Sequence, residues 1–345
     1  MRGHRRSGSL SGERCLAVHH RTHDSDRRRS RQCHRHLRGA GMSRITIQEH
    51  ALPDELRGSM VEYHGDHDDS ASLQSHLAGH GYVLLRAALD RDDVLQARDE
   101  VFQRLSEVGE IGQPAIDGIA TGTSRRTEAH ADLHQFWKSV SEGEQLRRVT
   151  HGPPIRKLMS AVLGTAARPH DLIYLRPTAP GRVTRLHYDF PFFAGRSRRI
   201  HTAWVPLGDV PISDGPLVVV ENSQNFDDLI EPMRNHDFAS SHSNDEVQTA
   251  AYDAVNVTDP VTFCRERGVR LLSTDFRAGD VFIFGGFTLH GSLDNNSAVG
   301  RVRLSCDVRF QPADDPCDDP RYFGDDPRGS KGGGYGDMRG AQPLA

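Results

Sequence analysis

The pattern that most limits the fold begins at Asp171. From there to Phe310 the chain passes through five short stretches, 172–175, 200–207, 216–220, 280–284 and 301–310. They are rich in Val, Ile, Phe and Thr and are separated by Gly, Pro, Asp and Asn. Such stretches read as strands. Strands that follow one another without helical spacers do not build the βαβ units of a parallel sheet. Before Asp171 the texture is helical. Residues 70–77 form a short amphipathic segment, 81–86 read as a buried strand, and Asp90 caps a helix with Val94, Ala97, Val101 and Leu105 on one face. Residues 136–149 and 154–163 supply two more helices, the second with proline in its first turn. Helices first and short strands after predict an α+β chain, mainly β, whose β part is a sandwich or barrel.

Charge divides the chain differently. Over 345 residues, 43 Lys and Arg stand against 47 Asp and Glu, a net of −4. Residues 1–41 hold 11 Arg, no Lys and only Glu13, Asp24 and Asp26, a net of +8, which leaves −12 for the remainder. The leader is too polar to offset the entropy of ordering, so it is expected to be a disordered basic extension. It lacks the apolar core of a secretory signal. Its plainer reading is an extension upstream of a natural start at Met42, and the sharper one is a nucleic-acid arm. Residues 42–320 are expected to form one domain, followed by a Gly- and Asp-rich tail over 321–345, expected as a loose end or a flexible flap.

The acidic body argues against a nucleic-acid binder, and no run approaches the roughly 18 apolar residues of a membrane span. Five cysteines without a CxxC pair fit a reducing compartment, so a cytoplasmic protein is expected.

The chemistry starts from 20 histidines. The pattern His-x-Asp, which on a strand turns both side chains to one face, occurs at His64/Asp66, His67/Asp69, His130/Asp132 and His187/Asp189. The first two pairs lie in a polar acidic run and the third in a helical or irregular segment. Only His187-Tyr-Asp189 sits among apolar and aromatic residues, where buried polar groups would be costly unless satisfied. A metal would satisfy them. His290, 101 residues beyond Asp189, follows a buried strand and a Gly-Gly bend, and Arg301 lies eleven residues further on. Alone, a buried His is more often a satisfied core residue and an Arg-Val-Arg strand an exposed sheet face. Together they predict a 2-His-1-carboxylate set of the kind that holds non-haem iron, with Arg301 placed to pair with a dicarboxylate cosubstrate.

Residues 171–311 resemble the phytanoyl-CoA dioxygenase family of Fe(II)/2-oxoglutarate oxygenases. The resemblance rests on His187-Tyr-Asp189, Thr202-Ala-Trp-Val-Pro-Leu-Gly-Asp209, Asp214-Gly-Pro-Leu217 with Ser223, Gly279-Asp280, Thr288-Leu-His-Gly-Ser292, Asn295-Asn-Ser297 and Arg301. It implies a double-stranded β-helix (jelly-roll, cupin-like) with flanking N-terminal helices. By the same resemblance His187, Asp189 and His290 bind iron, Arg301 holds the distal carboxylate of 2-oxoglutarate with Arg303 as second choice, and Trp204 and Ser292 line the cosubstrate pocket. One departure stands out: Glu221-Asn-Ser-Gln224 replaces the Pro-Gly-Ser-His of many members.

The implied activity consumes 2-oxoglutarate and O2, releases succinate and CO2, and hydroxylates a small molecule of natural-product or amino-acid type. Asp189 disfavours halogenation. Desaturation, epimerisation or cyclisation on the same cofactors, and a non-catalytic cupin-like metal-binding protein, are the alternatives. Arg176, Arg182, Arg185, Arg196, Arg198 and Arg199 flank the iron motif, as an anchor for an acidic substrate or as a basic surface.

Overall fold

The structure, a computed structural model, describes residues 45–193, 197–235 and 257–345. The basic leader expected over 1–41 lies outside the described residues, as does Arg196.

After three short strands the front half of the chain is largely helical: α1 (Ser70–His80), α2 (Arg91–Glu107), α3 (Arg126–Ala129), α4 (Leu133–Ser141), α5 (Glu144–His151) and α6 (Pro153–Leu163). Asp90 caps α2 by accepting from the backbone N–H groups of Asp92 and Asp93. The single helix expected over 136–149 is two. Glu142 closes α4, and the chain leaves the helical region at Gly143, with φ −55° and ψ 146°, before α5 begins. Later come a single turn, α7 (Phe190–Phe193), and two more helices, α8 (Asp227–Asn235) and α9 (Pro260–Arg267).

Two sheets carry the site. The larger runs β4 (Tyr82–Leu85), β10 (Val281–Gly285), β7 (His201–Pro206), β12 (Arg303–Pro312) and β5 (Ala167–Pro169), and β6 (Tyr174–Thr178) also pairs with β12. All its pairings are antiparallel. The smaller runs β11 (His290–Ser292), β8 (Leu217–Val220), β9 (Leu271–Ser273) and β3 (Arg57–Ser59), antiparallel except for β3 with β9. A short ribbon, β1 (Thr46–Ile47) with β2 (His50–Ala51), precedes them.

Side-chain alternation sorts the core into three layers. Val83, Leu85, Ala203, Val205, Val281, Ile283, Leu304, Cys306, Val308 and Phe310 leave the larger sheet on one side and pack with α2, α4, α5 and α6. Their neighbours Tyr82, Leu84, Trp204, Phe282 and Phe284 turn the other way, into a cluster with Leu217, Val219 and Leu272 of the smaller sheet. The outer side of the smaller sheet, Val218, Val220 and Leu271, is covered by α8 and α9 through Ile230, Met233, Val261 and Cys264. The site therefore lies where the two inner faces meet.

The C-terminal segment corrects its sequence reading. Instead of a loose end, residues after Pro320 pack into the helical layer, with Tyr335, Met338 and Ala341 in the same cluster as Trp137. Arg126, fully buried against Glu110, donates to the carbonyls of Gly340 and Gln342. Gly340 lies so close to the Trp137 ring that a Cβ there would clash.

Candidate functional site

His187 and His290 face each other on adjoining extended segments. The backbone N–H of His187 donates to the carbonyl of His290, and that of His290 donates back to His187. The strand β11 can press this closely because Gly291 has no Cβ; one would meet the Thr184 carbonyl. The two imidazoles lie 4.3 Å apart between centroids. Each Nδ1 meets a backbone carbonyl, that of Arg185 at 2.8 Å for His187 and that of Thr288 at 2.9 Å for His290. With Nδ1 carrying the proton, each Nε2 is left as a lone-pair donor.

Asp189 completes the set. Its Oδ1 lies 3.6 Å from His187 Nε2 and 3.9 Å from His290 Nε2, and the three candidate ligand atoms fall within 4.8 Å of one another. Burial pushes the Asp189 carboxyl up, but the Arg309 guanidinium and the two histidines outweigh it and hold the group well below its ordinary range. Burial, then the neighbouring His187, pushes His290 down to about 3, so its imidazole is neutral. One carboxylate and two imidazoles converging on one point are the donor set that suits iron, and the residues fit it.

The other His-x-Asp pairs are something else. Asp69 and Asp132 are helix N-caps, accepting from Ser72 and Gln135, and Asp66 accepts from the backbone of Asp68. The Glu221-Asn-Ser-Gln224 turn, for its part, supports the site. The Ser223 hydroxyl accepts from the N–H of Leu289, and its carbonyl accepts from the Tyr188 hydroxyl, so the turn braces both histidine segments.

Beside the histidines is a small cavity lined by Trp204, Ser292, Arg303 and Arg176. Arg303 is 3 % exposed; it donates through Nη1 to Ser305, while Nε and Nη2 have no partner. Burial, reinforced by Arg176, pushes its guanidinium down to about 10, still charged near neutrality. Arg301 stands outside this cavity, ahead of β12, its Nη1 donating to Asp214 at 2.8 Å. The Ser292 hydroxyl accepts from the N–H of Thr184, and Trp204 packs edge-on against Phe276.

Three residues of the site had no role assigned from sequence, although Thr202 opens the Thr202–Asp209 motif. Arg309 donates to both oxygens of Asp189, at 3.2 and 3.0 Å, and Thr202 donates to Oδ2 at 2.7 Å. Asp307, two positions before Arg309 on β12, pairs with Arg309 and Arg176. The only available signal was alternation along 303–309, which places Asp307 and Arg309 on the face of Arg303.

An inward-facing His-Asp-His set beside a buried arginine defines a non-haem iron oxygenase site. The chain belongs to the phytanoyl-CoA dioxygenase (PhyH) family, whose model matches residues 77–302. It is an Fe(II)- and 2-oxoglutarate-dependent dioxygenase, which sets aside the non-catalytic alternative. It is 27% identical over 268 residues to a 1-deoxypentalenic acid 11-beta-hydroxylase of Streptomyces exfoliatus, covering 71% of this chain and 82% of that protein. The corresponding hydroxylase of Streptomyces arenae is 25% identical over 253 residues, with the same coverage. Among solved structures, the epimerase SnoN in complex with Fe3+, alpha ketoglutarate and nogalamycin RO is 20% identical, with a TM-score of 0.49, over 81% of this chain and 94% of that one. No described helix is long and apolar enough to cross a membrane.

Proposed function

We propose that the protein hydroxylates a small organic molecule in the cytoplasm, and that its two sheets form a double-stranded β-helix around the reacting centre. The observation that carries the reading is the arrangement just described: three convergent metal ligands, a buried arginine with unpartnered nitrogens beside them, and a larger chamber on the same site. That chamber, about 340 Å3, is lined by His187 and Asp189 and falls within the range of small-molecule sites.

Each residue then has a task. His187, Asp189 and His290 would hold Fe(II), where oxidation of a substrate C–H bond is coupled to decarboxylation of 2-oxoglutarate. The carbonyls of Arg185 and Thr288 fix the imidazole tautomers. Arg309 and Thr202 orient the Asp189 carboxylate, and Arg309 with the two histidines keeps it ionised. Arg303, rather than Arg301, pairs with the distal carboxylate of 2-oxoglutarate, since its free donors lie inside the cavity and Arg301 is engaged by Asp214. Trp204 and Ser292 bound that cavity.

Incubation with Fe(II), 2-oxoglutarate and air, against a panel of small natural-product-like molecules, should release succinate and give a product heavier by one oxygen atom. A protein that forms no succinate with or without the panel contradicts the reading.

A further inference from the structure

The chamber over His187 and Asp189 is walled on one side by the C-terminal segment 329–340 and floored by β6. Its apolar surfaces come from Tyr174, Leu175, Pro177, Phe192, Phe193 and Met338. Its charges are unbalanced: Arg176, Arg185, Arg309, Lys331 and Arg339 line it against Asp189 and Asp337. Arg176 and Arg309 are committed to Asp307 and Asp189, and Arg339 donates to the Val183 carbonyl. Arg185 is different, because its guanidinium makes no ion pair with any described residue. Arg185 lies at the exposed rim of the chamber, two residues before His187. Leu186 and Tyr188 are buried in the outer apolar cluster, so Arg185 shares its face with His187 and Asp189.

We infer that this chamber takes an apolar molecule bearing a carboxylate, and that Arg185 meets the carboxylate. The inference deepens the oxygenase reading and rests on it for the role of the chamber. An apolar body fills the aromatic walls, and a carboxylate on Arg185 would be held beside the metal ligands, orienting one end of the molecule toward the reacting centre. A guanidinium suits this task because it pairs bidentately with a carboxylate.

The test is equilibrium binding without turnover. Metal-free protein, with 2-oxoglutarate in excess to occupy its own cavity, is titrated with adamantane-1-carboxylate and with the neutral adamantane-1-carboxamide by calorimetry. The acid should bind about tenfold more tightly or better, which corresponds to about 1.4 kcal/mol, and the preference should shrink with added salt. Arg185→Gln should abolish the preference, Arg185→Lys should retain part of it, and Arg182→Gln, at an exposed neighbour outside the chamber lining, should leave it intact. Circular dichroism confirms that each variant is folded. Equal binding of acid and amide, binding of neither, or a preference that survives Arg185→Gln overturns the inference. Failure of the oxygenase reading would appear instead as absence of succinate, which this titration does not measure.

Discussion

Along β12, Leu304, Cys306, Val308 and Phe310 face the helices, while Arg303, Ser305, Asp307, Arg309 and Gln311 face the smaller sheet. All nine are buried. The first set contributes by leaving water; the second can be buried only because partners replace water. Arg309 sits between Asp189 and Asp307, and Arg176 also pairs with Asp307. Arg303 alone of these charges has no carboxylate partner among the described residues. The contrast separates stability from chemistry on a single strand, and each face can be broken without the other.

The largest effect is expected from His187→Ala, which removes a metal ligand and should abolish succinate formation and iron binding measured by equilibrium dialysis. Next is Arg309→Gln, which leaves two buried carboxylates short of a partner and should cost about 3–5 kcal/mol in urea denaturation of the metal-free protein. Leu304→Ala on the opposite face should cost about 2–5 kcal/mol through the cavity it leaves, with the 2-oxoglutarate requirement unchanged in protein that remains folded. Arg303→Gln should do the reverse. It should raise the 2-oxoglutarate concentration for half-maximal succinate release about 100-fold, roughly 2.7 kcal/mol, while stability holds or improves, because a buried charge without a partner is removed.

The smallest effect concerns acid. Burial pushes His170 down to about 3 against the stabilising bond to Gln311. Its folded value lies below the unfolded value, so the unfolded chain takes up the proton first as pH falls. The stability it protects is present above about 6.5 and is lost toward 3, with roughly 2 kcal/mol gone by pH 5. His170 stacks on Tyr322 at 4.8 Å, so acid should loosen the start of the C-terminal segment. His170→Phe should flatten this part of the profile of denaturation midpoint against pH.

The helices at 70–80, 91–107 and 153–163 and the strands at 82–85, 201–206, 217–220 and 281–285 were legible because alternation and helical spacing are local signals, whereas the short strands before residue 60 and the helices α8 and α9 were not. Strand edges were less legible: the run expected at 172–175 pairs at Tyr174–Thr178 and the one expected at 301–310 pairs at Arg303–Pro312. That two-residue shift matters, since Arg301 and Arg303 share a face by alternation and only the position of β12 puts one inside. His187, Asp189 and His290 were readable because their neighbours are apolar. Arg309 was not, because a charged strand residue usually faces water and its partner is 120 positions away. The C-terminal segment was misread for a related reason, as glycines held close to a side chain, Gly340 at Trp137 and Gly336 at His134, look in sequence like those of a flexible tail.

The central claim is that the inward face of β12, through Arg303, holds 2-oxoglutarate beside the His187–Asp189–His290 centre. Anaerobic titration of the Fe(II)-loaded protein with 2-oxoglutarate, followed by visible absorbance, tests it most directly. A weak charge-transfer band is expected in the unaltered protein and in Arg301→Gln, saturating at similar concentrations, and a band shifted to about 100-fold higher concentration in Arg303→Gln. No band in the unaltered protein, or a band displaced by Arg301→Gln and untouched by Arg303→Gln, would contradict it.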